Sequence, residues 1–404
     1  MAQKPLREVQ AKQLFRDHWS QEYAAGKPHI RFAAVEKTTD LQALSKEHPW
    51  LLEGKVVVKV DELFGKRGKL GYVNVAENYE EACTWIGSLR GKEVTVAERT
   101  GPLNHFIIEP YVPHTAEYYL ALTCEREHDV LLYSAQGGMD VEEQGESVLT
   151  IRTGLDQEPQ LDALPEALRP TALGLMMLFR SLDLPYVEIN PIVYEEGTPY
   201  LLDAVVRADT TAAFRQQRTW GAWEIPEGFG SLPTKEEKRI RAMDARSGSS
   251  LKFVLLNPQG RIWTMVAGGG ASIIYADAIT AQTDAKELAN YGEWSGNPTT
   301  DEMEAYTSEI LSLIAQNKRE QALIIGGGIA NFTDVKRTFA GVIKALQKHQ
   351  KNLKHLKIFV RRAGPNDREG LKALQEACDA MKIPCVTHGA ELPMTAIVAQ
   401  ALST

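Results

Sequence analysis

Three groups of residues in this chain have the types and spacing that chemistry needs. The first is Leu323-Ile324-Ile325-Gly326-Gly327-Gly328-Ile329-Ala330-Asn331-Phe332-Thr333, a buried strand running into a glycine turn. Successive glycines let the backbone approach a ligand closely and adopt positive φ. Asn331 or Thr333 stands where a cap belongs, ahead of the helical apolar spacing of Val335, Phe339, Val342, Ile343 and Leu346. A helix starting there aims free N–H groups at an anion, which favours negative charge by ~0.3–1 kcal/mol when exposed and up to ~2 kcal/mol when partly buried. Further on, Lys357-Ile358-Phe359-Val360-Arg361-Arg362 reads as the next parallel strand, with two guanidiniums at its carboxyl end. Ligands of open α/β sheets bind at that end. Fixed N–H donors beside two guanidiniums suit a small polycarboxylate or a phosphoryl group. A glycine loop that only packs tightly is the alternative.

The second group begins with Lys55-Val56-Val57-Val58-Lys59-Val60, a β-branched strand with Lys59 inside it, followed by the basic loop Gly65-Lys66-Arg67-Gly68-Lys69-Leu70-Gly71. A lysine buried in a strand needs an anionic partner. A basic glycine loop can fold over phosphates, or it can be solvated surface. No G-x-x-x-x-G-K-[ST] occurs, and no G-x-G-x-x-G follows a strand, so neither the P-loop nor the dinucleotide fingerprint is supported. The strand Phe106-Ile107-Ile108-Glu109-Pro110-Tyr111-Val112 breaks at its proline and leaves backbone groups that can read a purine. Glu117 opens the next strand and can accept a ribose hydroxyl. Glu109 and Glu117 suit ordinary surface positions equally well. The third group, Glu188, Asn190 and Asp203, falls at one end of a hairpin formed by Tyr186–Val193, a turn at Glu195-Glu196-Gly197, and Tyr200–Ala204. Few, hard oxygen ligands suit Mg²⁺ shared with nucleotide phosphates. An Asn-Pro turn is the alternative.

The elements that must position these groups divide the chain in two. Charged, proline-containing sequence from about residue 224 to 245 reads as a connection, and domains are expected over 1–240 and 241–404. Beyond it strands at 251–256, 261–267, 322–326, 356–361 and 384–387 alternate with helices near 273–290, 301–317, 334–349, 367–381 and 392–402. That order predicts a doubly wound parallel sheet. Its turns hold Gly268-Gly269-Gly270-Ala271-Ser272, Glu293-Trp294-Ser295-Gly296, the 326–333 loop and Arg361-Arg362. Several glycine turns at one sheet edge favour a ligand crevice over packing alone. Near the N-terminus, Leu6, Val9, Leu14 and Phe15 suit one face of a short helix. No internal repeat or low-complexity tract is evident.

A chain of 404 residues fits two or three domains. The net charge of −8, with scattered basic residues, argues against nucleic acid as a partner. Cys83, Cys124, Cys378 and Cys385 have no metal-site spacing, and neither a signal peptide nor a long apolar run is present. A soluble cytoplasmic protein with no membrane partner is expected.

These motifs together resemble a known set. Glu8-Val9-Gln10-Ala11-Lys12-Gln13-Leu14-Phe15, Lys59 with Arg67-Gly68-Lys69, Gln136-Gly137-Gly138-Met139-Asp140-Val141-Glu142, and Glu188-Ile189-Asn190-Pro191 are similar to the β-subunits of ADP-forming succinyl-CoA synthetases. Their first domain is an ATP-grasp. Closer still is the N-terminal part of the ATP-citrate lyases, which His48-Pro49-Trp50-Leu51-Leu52, Leu255-Leu256-Asn257-Pro258, the run Gly260–Ser272 and Ala330-Asn331-Phe332-Thr333 resemble nearly letter for letter. The resemblance runs nearly end to end and implies an α/β chain, an ATP-grasp domain followed by a doubly wound, flavodoxin-like domain that binds citrate.

The same resemblance assigns ATP to Lys59, Arg67, Gly68 and Glu117, with backbone contacts near Pro110 and Val112. It assigns Mg²⁺ to Asn190 and Asp203, and a further cation to the stretch holding Asp244, Ser247 and Ser249, which an acidic linker turn would also explain. Citrate falls to Gly296, Gly328, Asn331, Phe332, Thr333 and Arg362. Succinyl-CoA synthetases carry an apolar residue where Arg362 stands, and an added guanidinium suits a substrate with one more carboxylate. The family phosphorylates a histidine in a Gly-His-Ala-Gly context, and none of the nine histidines here has those neighbours. A CoA-binding domain and a citrate-synthase-like module are also missing. The resemblance therefore implies one subunit of a hetero-oligomeric enzyme, with phosphohistidine, CoA site and cleavage module on a larger partner. The large subunit of a citryl-CoA synthetase, a succinyl-CoA synthetase β-subunit, and a non-catalytic sensor of nucleotide or citrate are the other readings.

Overall fold

The computed structural model describes residues 3–138, 148–221, 225–230, 233–328 and 332–403. They form two compact units, Met1–Leu232 and Pro233–Thr404. The division lies upstream of residue 240 because a helix begins just after Pro233. Thr234 and Glu237 close a reciprocal capping box on it, and its Ile240 is buried in the second unit's core.

In chain order the first unit runs β1 (Gln3–Leu6), α1 (Glu8–His18), β2 (Ala33–Val35), α2 (Leu41–Glu47), β3 (Val56–Val60), β4 (Val73–Ala76), α3 (Tyr79–Leu89), β5 (Glu93–Val96), β6 (Arg99–Pro102), β7 (Phe106–Pro110), β8 (Tyr118–Cys124), β9 (His128–Ser134), β10 (Leu149–Gly154), α4 (Arg169–Ser181), β11 (Tyr186–Glu195), β12 (Thr198–Leu201), β13 (Ala204–Asp209) and α5 (Ala213–Trp220). A seven-stranded sheet has the order β1-β13-β11-β8-β9-β10, with β12 also on β11. Its core joins Ala11, Leu14 and Phe15 of α1 and Leu175, Met176 and Phe179 of α4 to Leu120, Leu131, Val187 and Val206 of the strands. Full burial of each of these Leu, Met, Phe or Val side chains is worth roughly 1.5–3 kcal/mol. Leu6, read from its spacing as helical, ends β1 instead, paired with Val206. A four-stranded sheet, β2-β7-β3-β4, carries a second core with α3, and β5 and β6 form a separate ribbon.

The second unit runs α6 (Lys235–Asp244), β14 (Ser250–Leu255), β15 (Ile262–Ala267), α7 (Gly269–Thr280), β16 (Asn290–Ser295), α8 (Thr300–Ile314), β17 (Gln321–Gly327), α9 (Val335–His349), β18 (Leu356–Arg361), α10 (Asp367–Met381), β19 (Cys385–His388) and α11 (Ala396–Leu402). The sheet order is β14-β16-β15-β17-β18-β19. All its pairings are parallel except β14 with β16, at one edge. One face is covered by α6, α8, α9 and α10, the other by α7 and α11. This is the doubly wound sheet predicted from the alternating pattern. No helix among the described residues is long and apolar enough to cross a membrane.

One strand differs from expectation. Residues 290–295 form β16, inside the sheet between β14 and β15, where the sequence suggested the tail of a helix and then a glycine turn. Its alternating Asn290, Gly292 and Trp294 face the core, and Asn290 fastens both main-chain groups of Thr264 on β15. A strand of so mixed a composition reads as a turn until its neighbours are known.

Candidate functional site

In the first unit the chemistry gathers around a cavity of about 1030 Å³. Lys59, near the end of β3, is buried there as its place in the strand requires. Glu8 of α1 reaches the same point and pairs with Lys12 at 2.7 Å, with Arg67 at 2.6 Å and directly with Lys59. Glu109 of β7 bridges Lys12 and Lys59, the latter at 2.6 Å. Arg67 leaves the basic loop, turns inward, and also meets Asp203 at 2.6 Å and the Val60 carbonyl at 3.0 Å. Asp61 then accepts the amides of Glu8 and Val9 at 2.7 and 3.1 Å, seating the start of α1 on the end of β3.

The protonation states follow from this packing. Burial alone would push Glu8 upward, but Lys12, Lys59 and Arg67 together hold its carboxyl well below the usual carboxylate range. Burial opposes the charge on Lys59 too, and Glu109, Glu8 and Asp203 outweigh it, so the ammonium is held above its ordinary value. Arg67 is likewise raised, by Asp203, Glu8 and Asp61 against burial. Asp61 is the exception. Burial, reinforced by the charge of Glu8, lifts it to about 6.

The remaining nucleotide candidates line the same cavity: Gly68, Pro110, Val112 and Glu117, with Glu188, Asn190 and Asp203. The main chain runs on through Asn190-Pro191, a cis peptide inside β11, so this is strand and not turn. The hairpin's return arm is shorter than expected, β12 ending at Leu201, so that Leu202 and Asp203 form the corner before β13. The Leu202 carbonyl accepts Lys59 at 2.6 Å. Asn190 exchanges hydrogen bonds with both main-chain groups of Gly138, at 2.6 and 3.1 Å. Sequence reasoning missed Glu8, Lys12 and Asp61, and it gave Glu109 no more than even standing with surface. The signal for Glu8 was its i, i+4 spacing to Lys12 on an otherwise apolar helix face.

In the second unit the described citrate candidates lie at or just beyond the carboxyl ends of β16, β17 and β18. Arg361 ties the fold together, donating to the Leu392 carbonyl at 2.8 Å and to the Gly327 carbonyl at 3.0 Å. Arg362 is fully buried against Gly327, whose missing side chain makes room for it, since a Cβ there would lie 3.0 Å from the arginine Cδ. One nitrogen donates to the Ala363 carbonyl, while Nε and Nη2 have no partner among the described residues. Burial pushes this guanidinium down to about 10. Asn297, next to Gly296, accepts the Asp334 amide at 3.2 Å and so joins the end of β16 to the start of α9. Gly296, Thr333 and Arg362 therefore share one edge, with Gly328 following the end of β17. Phe332 is 74% exposed, and Asn331 lies outside the described residues. The cap of α9 is Asp334, which accepts the Arg337 amide at 2.9 Å, and neither Asn331 nor Thr333.

Two other stretches are structural as they stand. Asp244 accepts the Leu251 amide and the Lys252 ammonium, Ser247 donates to Glu302 at 2.6 Å, and Ser249 donates to the Gly296 carbonyl at 3.1 Å. They fasten the turn before β14. No cluster of three or more His, Cys, Asp or Glu among the described residues is arranged to hold a metal ion. The Gly268–Ser272 stretch, expected as a ligand turn, opens α7, and the Glu293 carboxylate sits over that helix start, 3.1 Å from where a Gly269 Cβ would lie.

Comparison with known proteins gives these two sites a common setting. Residues 2–220 match the ATP-citrate synthase ATP-grasp domain, and residues 232–404 match the ATP citrate lyase citrate-binding domain. The chain is 40% identical to ATP-citrate synthase alpha chain protein 1 of Arabidopsis thaliana, over 100% of this chain and 98% of that one. It is 41% identical to the ATP-citrate synthase of Homo sapiens over 92% of its length, but spans only 36% of that protein. The solved ATP citrate lyase from Methanothrix soehngenii, in complex with citrate and coenzyme A, is similar at a TM-score of 0.89 and 39% identity, covering 100% of both chains. With each unit matched in turn and an alpha chain matched over almost its whole length, the chain belongs to the ATP-citrate synthase family of enzymes.

Proposed function

We propose that this chain supplies the ATP and citrate sites of an ATP-citrate synthase and works with a larger subunit. Together they convert ATP, citrate and CoA to ADP, phosphate, acetyl-CoA and oxaloacetate. The observation that carries the citrate site is Arg362, a guanidinium buried to 0% exposure with two nitrogens unpartnered among the described residues. A buried charge without a partner is costly, and an entering carboxylate would complete it. Arg361 is committed in part to the fold, with its Nε and Nη1 donating to the Leu392 and Gly327 carbonyls.

Lys59 and Arg67 bind and orient the ATP phosphates, Gly68 and the backbone at Pro110 and Val112 hold the rest of the nucleotide, and Glu117 takes the ribose. The cluster around them sets Glu8, Glu109, Asp61 and Asp203 against Lys12, Lys59 and Arg67. It has no surplus of positive charge for a polyphosphate. That balance and the hard oxygens of Asp203 and Asn190 fit Mg²⁺, which when bound would offset phosphate charge. Phosphoryl transfer then needs chiefly positioning and electrostatic stabilisation from this chain. The acceptor histidine and CoA belong to the partner, and citrate takes the phosphoryl group at the α9 start, giving citryl phosphate and then citryl-CoA. All four cysteines are free thiols, in keeping with a cytosolic setting.

Titration calorimetry on the purified chain tests the citrate site. Arg362→Leu should weaken citrate about 10- to 100-fold and leave ADP binding unchanged. Undiminished citrate affinity would remove Arg362 from the site, and tighter binding of succinate than citrate would favour the succinyl-CoA synthetase reading. The chain alone should turn nothing over; turnover without a partner would end the split. A co-purifying subunit larger than this chain fits the synthase, and a smaller one fits citryl-CoA synthetase.

A further inference from the structure

From the end of β7 toward β8 the chain reads Glu109-Pro110-Tyr111-Val112-Pro113-His114, then reaches Glu117. His114 faces both halves of the nucleotide contact. Its Nδ1 is 2.8 Å from the Val112 carbonyl and its Nε2 is 3.0 Å from Glu117 Oε1. Both neighbours are acceptors, so the ring N–H donates to one of them and links the Val112 backbone to the Glu117 carboxylate through one imidazole. The other Glu117 oxygen closes on Gly138, where a Cβ would stand 2.3 Å from it. The Glu117 carbonyl also accepts the Gly137 amide at 2.7 Å. Glu117 is thus held from two sides, while 38% of its side chain stays open and both it and His114 line the cavity.

We propose that His114 is a positioning residue that selects ribonucleotides, by tying the carboxylate that meets the sugar hydroxyls to the backbone at which the base is read. This rests on the reading of Glu117 and Val112 given above. A glutamate left to itself samples many rotamers, and one fixed beforehand loses less freedom when the ribose arrives. The prolines on either side of Tyr111-Val112 stiffen the same backbone.

The test is calorimetric binding of ADP and of 2′,3′-dideoxy-ADP, which lacks both sugar hydroxyls, to the full chain. Wild type should prefer ADP by about tenfold, the worth of a hydrogen bond to a charged group. His114→Ala should lose most of that preference through weaker ADP binding, with dideoxy-ADP affinity unchanged. His114→Phe keeps a ring of similar size without the donor and should behave alike, which covers an unstable alanine variant. Equal weakening of both ligands, or an unaltered ratio, overturns the proposal. Glu117→Ala separates the two readings: if it keeps the full preference, Glu117 does not meet the ribose and the proposal falls with that assignment. If it loses the preference while the His114 variants retain it, only the role of His114 falls.

Discussion

Asp61 shows how much one carboxylate can do without touching a substrate. It caps α1 through two amides, and α1 in turn delivers Glu8 and Lys12 to Lys59. Burial raises it from 3.8 to about 6, so the folded chain takes up this proton at higher pH than the unfolded chain does. The sign follows from linkage: the group's contribution to stability is fully present below the unfolded value and is lost as pH rises through 6, by up to about 3 kcal/mol. Glu8 is held well below its ordinary range and keeps its charge throughout that window. Denaturant unfolding from pH 4 to 7 should therefore show a loss of stability on raising the pH that is absent in Asp61→Asn. Identical pH profiles for the two proteins would remove Asp61 as the titrating group.

At the scale of elements, the citrate edge depends on how closely α7 and β17 can approach. Gly326 faces Tyr275 of α7, and an added Cβ would lie 2.5 to 2.9 Å from three of its ring carbons. Nothing there is a flexible chain end, so the strand or the helix must shift. Gly326→Ala should cost about 1–3 kcal/mol and displace the Gly327 carbonyl that Arg361 grips, weakening citrate while sparing nucleotide binding. Chemical denaturation and citrate titration of this variant check both outcomes, and a fully stable protein with normal citrate affinity would contradict the packing. Most helices of this unit show in the sequence by their 3.6-residue spacing, as at Val335, Phe339, Val342 and Leu346 of α9, but α6 lies in the stretch read as a connection and α7 ends at Thr280, short of the expected 290. The cap was not, because Thr333 and Asp334 are both good capping types and only the turn geometry chooses between them.

For the whole molecule, two compact units have separate cores and match an ATP-grasp domain and a citrate-binding domain in turn. A ligand stabilises only the unit that holds it, by about 2.7 kcal/mol at a hundred times its dissociation constant. Differential scanning calorimetry should show Mg²⁺–ADP raising one transition and citrate raising the other. Arg362→Leu should abolish the citrate shift alone and leave its transition, without ligand, unchanged or higher, since an unpartnered buried charge is removed. A single transition moved equally by both ligands would show that the units melt as one.

What the residues determined by themselves was local: the alternation that makes a doubly wound sheet, a lysine inside a β-branched strand, and motif runs specific enough to name a family. Those features arise from spacing along the chain, which a sequence displays directly. The tertiary structure decided the rest. Gly326 and Gly327, read as a turn, end β17 instead. Glu8, Glu109, Asp61 and Asp203 come from four separate segments to meet Lys59 and Arg67, and no periodicity records that meeting. Of two adjacent arginines, Arg361 ties Nε and Nη1 to carbonyls of other segments, while Arg362 leaves Nε and Nη2 without a partner among the described residues. Residues 290–295 became an interior strand because β14 and β15 were there to pair with them. Pairing partners and burial belong to the folded chain, and it is burial that turns an ordinary charge into one that must find a ligand.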